Sequence, residues 1–221
     1  MLMTINELQI GSVLALFNIF LIDIFLIYLL GTKSRWFQLH AAINSVITMY
    51  AINDTIAIIT DQNKNMYLLG EVNTGFYVFC LHVYHFATFR KLTYMDYIHH
   101  IISVFIGGIP VQLYCSSKLI NFGYFFACGA PRGLTYLLLV LVKHNKINKI
   151  TEKKITAYIN AYIGCPGMLF MGTLEYNKYK TKLVQNDDNL TRLMFILISY
   201  WNASFCNYEA IYNFGVYNSI K

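Results

Sequence analysis

Charge is scarce in this chain of 221 residues: Asp, Glu, Lys and Arg together make up 13% of it, about half of what a soluble globular domain carries. With 57% hydrophobic residues and a mean hydropathy of +0.46, that scarcity excludes a solvated surface of ordinary extent and points to a chain embedded in lipid. Also lacking are an internal repeat, a linker and a low-complexity tail, so one domain over 1–221 is expected. The five cysteines show no Cys-x-x-Cys and no framework spacing, which excludes a disulfide scaffold and leaves buried free thiols as the expectation. Acids are fewer than bases, 11 against 17, yet the bases are scattered over short links beside apolar runs. No nucleic-acid partner is expected, because attraction to anionic lipid and membrane topology account for that pattern.

What is abundant is apolar helix-length sequence. A membrane-crossing helix needs about 20 mainly apolar residues, and such stretches run near Gln9–Leu30, Phe37–Thr60, Asn73–Phe89, Met95–Cys115, Leu119–Val142, Ile155–Leu174 and Leu193–Asn218. The expectation is an all-α, multi-pass membrane protein of about seven transmembrane helices. The third stretch is short, and the fifth is interrupted by Gly129-Ala-Pro-Arg-Gly133. The first has no basic leader and no small-residue cleavage site, and it is expected to stay in the mature protein. One set of links carries Lys33, Arg35, Arg90, Lys91, Lys143, Lys146, Lys149, Lys153, Lys154 and Lys221; the other carries Lys64, Lys118, Lys178, Lys180, Lys182 and Arg192. The richer set is expected in the cytosol, which places the N-terminus in a lumen or outside.

Ionisable groups inside such stretches are costly and mark sites. Asp96-Tyr-Ile-His99-His100 opens the fourth stretch, and residues three and four positions after Asp96 share its helical face. That spacing suits a carboxylate orienting an imidazole that acts as base or nucleophile. His82-Val-Tyr-His85 places two more imidazoles one turn apart on the preceding helix. Asp54 and Arg132 complete the candidates, the arginine as a partner for a phosphate or carboxylate. Three uses compete for the cluster. A metal centre wants at least three ligands with supporting acceptors, and with only six histidines, of which His40 and His144 sit at span ends, no metal is expected. Acyl transfer needs less, and hydrogen bonding between packed helices needs least.

Several pieces in order carry a family resemblance: Arg35-Trp36-Phe37 with His40-Ala41 and Asn44, then Asn53-Asp54, Lys91-Leu92, Asp96 and His99-His100, then Gly129-Ala-Pro-Arg-Gly-Leu-Thr-Tyr136 with Lys143, and Asn160 with Pro166-Gly167. Over 35–218 the chain resembles the TLC family, which includes the ceramide synthases. The resemblance implies six helices surrounding a central cavity with an extra helix before them, in the endoplasmic reticulum or a related internal membrane. It also implies a role in lipid metabolism or lipid homeostasis, with a membrane lipid or acyl chain as partner and acyl-CoA as a possible substrate rather than a resident cofactor. His99 and His100 match the family's His-His box and would be catalytic with Asp96; His82, His85, Arg132 and Asp54 would bind substrate. Where the second box, His-Asp-x-x-Asp, is expected, the chain reads Phe126-Ala-Cys-Gly-Ala-Pro131. That departure is compatible with members that bind or sense lipid without catalysis. Leu81-His-Val-Tyr-His-Phe-Ala-Thr88 is also similar to the His-x-x-His-His box of fatty-acid elongases, with Phe86 in place of the last histidine and no Lys-x-x-Glu-x-x-Asp-Thr box elsewhere. A retinal protein is disfavoured, since the last stretch has no lysine for a Schiff base.

Overall fold

The computed structural model describes residues 4–89, 94–114, 116–181 and 189–219, and among them every regular element is helical. The helices are α1 (Ile5–Leu30), α2 (Arg35–Thr60), a short α3 (Gln62–Asn65), α4 (Asn73–Thr88), α5 (Tyr94–Ile101), α6 (Ile109–Tyr114), α7 (Lys118–Ala127), α8 (Ala130–Lys143), α9 (Lys149–Ile159), α10 (Cys165–Lys180) and α11 (Asn189–Ser219). Two π-helical stretches, Ile102–Gly108 and Asn160–Gly164, join α5 to α6 and α9 to α10 without a break. Among the described residues three helical lengths are long and apolar enough to cross a membrane: Ile5–Leu30, Arg35–Thr60 and Lys118–Lys143.

Local chemistry sets the helix starts, and it moves two of them away from the hydropathy pattern. Thr4 and Glu7 form a capping box, with the Glu7 amide donating to Thr4 Oγ1 at 3.2 Å and the Thr4 amide to Glu7 Oε2 at 2.8 Å. The first helix therefore begins at Ile5, ahead of the apolar run that starts near Gln9. Asn148 caps α9 by accepting from the Thr151 amide at 2.7 Å, so the sixth apolar stretch is preceded by two further helical turns carrying Glu152 and Lys153. The fifth stretch breaks where expected. α7 stops at Ala127, and Gly129 precedes α8 with Pro131 in its first turn, where a missing amide hydrogen removes no helical bond.

α2 is the central post, packing on α1, α4, α7 and α8. Its Leu39, Ile43 and Ile47, four residues apart along one face, are fully buried, and they join Ile19, Val111, Leu119 and Met171 in one continuous apolar core. α11 covers α9 and α10 on the far side. Much of α1 faces away from this core, with Ile10, Val13, Leu14, Phe17 and Phe25 all exposed. A helical face of that kind is stable only against an apolar medium or partner.

Polar ties register the two ends of the bundle. At one end Asp23 accepts from both Arg35 Nε, at 3.0 and 3.1 Å, and Arg35 Nη2; Tyr84 Oη donates to the same carboxylate at 2.7 Å. Nearby, Ser34 Oγ and His144 Nε2 are 3.0 Å apart, and Arg35 lies over the Phe89 ring. At the other end Asp54 accepts from Asn121 Nδ2 at 2.6 Å and from the Glu71 amide at 2.8 Å, while the Lys118 amide reaches the Leu68 carbonyl. At this same end the Gln112 side chain of α6 lies so close to the first turn of α4 that a Cβ on Gly75 would fall 1.7 Å from its Oε1. Only glycine permits that approach.

Candidate functional site

A cavity of about 440 Å³ lies within the bundle. Its lining comes from α2, α4, α5 with the π-helical stretch after it, α7, α8, α9, α10 and α11, and no lining residue comes from α1. The volume falls in the range of about 300–1,000 Å³ typical of small-molecule sites. Much of the wall is apolar, with Ile47, Val78, Leu81, Leu139, Met168 and Phe195.

One part of the wall is aromatic and basic. Trp36, His40 and Asn44 follow one another at four-residue intervals on α2, so they form a single stripe, and all three line the cavity. The His85 ring stands edge-on to Trp36 at 3.8 Å and to His40 at 5.0 Å between centroids, and Tyr136 packs on His40 at 4.6 Å. His40 Nδ1 is 3.0 Å from the Trp36 carbonyl, and His82 Nδ1 is 2.6 Å from the Val78 carbonyl. A carbonyl can only accept, so each Nδ1 carries a proton, and a neutral ring then has its lone pair on Nε2. Neutral imidazoles in that tautomer can accept a proton or hydrogen bond at Nε2.

The part of the lining contributed by α9 carries an acid and a hydroxyl. Glu152, 1% exposed, accepts from Thr156 Oγ1 at 3.0 Å and pairs with Lys153 Nζ at 3.2 Å. One turn on, Asn160 Nδ2 donates to the Thr156 carbonyl at 2.9 Å. The ladder Glu152, Thr156, Asn160 repeats every four residues, so α9 turns one polar edge toward the bundle interior. Among the described residues no three His, Cys, Asp or Glu side chains are grouped to hold a metal ion.

The structure brings three of the sequence-derived candidates together: His82, His85 and Arg132 all line the cavity. Asp54 is not among the lining residues, because its carboxylate is occupied 67 residues along the chain by Asn121 and by the Glu71 amide. It fastens α2 to α7 and to the loop before α4, a contact that glues packed helices. Asp96, His99 and His100 lie on α5, and their side chains are outside the described ones; Ile98 on the same helix lines the cavity. Arg90, Lys91, Lys182 and Lys221, counted in the charge asymmetry, also fall outside the described residues. Sequence reasoning missed Trp36, His40, Glu152 and Lys153. For the first two, the four-residue stripe on α2 was a readable signal. For the last two, the cap at Asn148 was the only sign that a helix had begun before the apolar run.

No family model matches the chain, and neither a curated protein nor a solved structure matches it.

Proposed function

We propose that the chain is a multi-pass membrane protein of lipid metabolism or homeostasis, of TLC type, which takes a lipid or acyl chain into the cavity at the centre of its bundle. The observation that carries this reading is the cavity itself: apolar over much of its wall, polar at Trp36, His40, His85, Arg132 and Glu152, and lined by every long helical segment after the first. An amphiphile requires that combination, whereas a polar metabolite would leave much of the wall unmatched. The absence of α1 from the lining also agrees with six helices around a cavity and one outside. Seven crossings, with the basic links in the cytosol, and residence in an internal membrane such as the endoplasmic reticulum complete the proposal. Native mass spectrometry of the detergent-purified chain tests it. A co-purified amphiphile is expected, and a protein that stays empty after incubation with acyl-CoA, sphingoid base and total membrane lipid would overturn it.

Catalysis is the second reading, favoured by three imidazoles on the cavity wall, two of them with Nε2 as the acceptor. In it His99 or His100 acts as base or acyl-accepting nucleophile, Asp96 orients it, and acyl-CoA is the donor. Labelled acyl-CoA supplied with sphingoid base, and separately with malonyl-CoA, tests N-acyl transfer and elongase-like condensation in turn. Turnover that falls by about two orders of magnitude in His99→Ala or His100→Ala would support it. No turnover from the wild type with either acceptor would leave lipid binding alone.

A further inference from the structure

The charged lining residues among those described are Arg132, Glu152 and Lys153. Glu152 and Lys153 answer one another at 3.2 Å. For Arg132, no carboxylate among the described residues lies within ion-pair distance. Counting the imidazoles as neutral, this lining carries one surplus positive charge, and it sits on the Arg132 guanidinium. Helix dipoles do not change the sign. Arg132 is in the first turn of α8, but the carbonyl end of α7 abuts the same break at Cys128 and Gly129, so the two dipole ends offset. The positive potential there is the arginine's own, and a part-buried guanidinium on a largely apolar wall favours an anion as its partner.

We propose that the cavity selects a single-chain amphiphile with an anionic head, a carboxylate or a phosphate, seated on Arg132 with its chain along Ile47, Val78, Leu81, Met168 and Phe195. This rests on the lipid-binding reading and narrows it to a ligand class. The planar guanidinium matches either head with two parallel N–H donors, and Lys153 is a second cation in the lining. A cavity of about 440 Å³ is too small for a two-chain phospholipid. A sphingoid base, which is a cation, would meet Arg132 with like charge and is selected against.

The test uses the purified full-length chain in uncharged detergent and four probes with one chain and four heads: palmitate, hexadecyl phosphate, hexadecanol and hexadecylamine. Palmitate or hexadecyl phosphate should bind at least about tenfold more tightly than hexadecanol, the difference expected of a hydrogen bond to a charged group; hexadecylamine should bind more weakly than the alcohol. Which anion binds more tightly distinguishes a carboxylate from a phosphate head. Arg132→Met should abolish the preference for anions while leaving hexadecanol affinity in place, which also shows that the variant has kept its cavity. Arg132→Lys should retain part of the preference. Equal affinity of the wild type for palmitate, hexadecyl phosphate and hexadecanol would overturn the proposal and leave the cavity reading standing, as would an anion preference that survives Arg132→Met. If none of the four binds, the cavity reading fails and this proposal fails with it.

Discussion

The tie between Asp23, Arg35 and Tyr84 makes an ordered prediction, because its two charged members differ in their access to solvent. Asp23 is 1% exposed, whereas the Arg35 side chain is 32% exposed and rests over Phe89 at 5.1 Å. Arg35→Met strips the carboxylate of its charge partner and leaves only the Tyr84 hydroxyl, at 2.7 Å. A buried charge abandoned in this way costs about 3–5 kcal/mol. For a chain of this size that is a fall in melting temperature of about 6–20 °C. Asp23→Asn is milder: the amide oxygen still accepts one hydrogen bond, and the arginine can turn to water, so about 1.5–3 kcal/mol is expected. Tyr84→Phe removes one hydrogen bond to a charged acceptor and should fall in the same lower range. Replacing both charges, as in Asp23→Leu with Arg35→Met, should recover most of the loss, since the desolvation penalty then disappears. The assay is thermal unfolding of each purified variant in one detergent, read as a double-mutant cycle. Equal losses from Arg35→Met and Asp23→Asn, or a double variant worse than Arg35→Met, would refute the argument. Function is coupled to the same tie, because Arg35 immediately precedes Trp36, whose ring holds His85 in the cavity wall; Arg35→Met should therefore also weaken amphiphile binding.

Three further outcomes are expected. Gly75→Ala should cost about 1–3 kcal/mol by forcing Gln112 from its place, where it donates to the Val72 carbonyl at 2.8 Å, and adding Gln112→Ala should return most of that stability in the same melting assay. The Glu175–Arg192 pair, 3.1 Å apart with side chains 1% and 2% exposed, should lose about 3–5 kcal/mol on Arg192→Met and regain much of it when Glu175→Leu is added; a double variant no better than the single would contradict this. Under the proposed seven-crossing topology, glycosylation acceptors placed near the N-terminus should be modified and those placed between Lys143 and Lys149 should not; the reverse pattern would invert the orientation.

The all-helical class was legible because apolar run length is a strong signal, and the Gly129–Pro131 break was legible because proline and glycine act locally. Helix starts were less so. Thr4 and Asn148 extend α1 and α9 through polar sequence, and capping is a matter of one side chain and one amide that hydropathy does not register. The same blind spot hid Glu152, which reads as a loop acid but is carried into the bundle by the helix that Asn148 starts. Asp54 was ambiguous for a different reason. A carboxylate inside an apolar run looks alike whether it meets a ligand or a distant asparagine, and Asn121 is brought to it only by the packing of α7 on α2. His40 was set aside as lying at a span end, yet its neighbours four residues away on either side, Trp36 and Asn44, place it on the cavity face.

The π-helical stretch Asn160–Gly164 sets the rotational phase between the two ends of the helix that contains it. Twenty-three positions separate Glu152 from Glu175, and at about 100° per residue a uniform α-helix would aim them about 140° apart. Both are buried, one toward Thr156 and Lys153, the other toward Arg192. A wide turn absorbs one extra residue without passing on its rotation, which reduces the divergence to about 40°. The stretch is therefore a stored insertion: it lets one continuous helix present a carboxylate to the cavity near its beginning and another to α11 near its end. Shortening the chain by one residue within 160–164 should heal that turn into regular helix and leave both carboxylates pointing inward. Lengthening it by one would swing Glu175 away from Arg192 and strip a buried carboxylate of its charge partner.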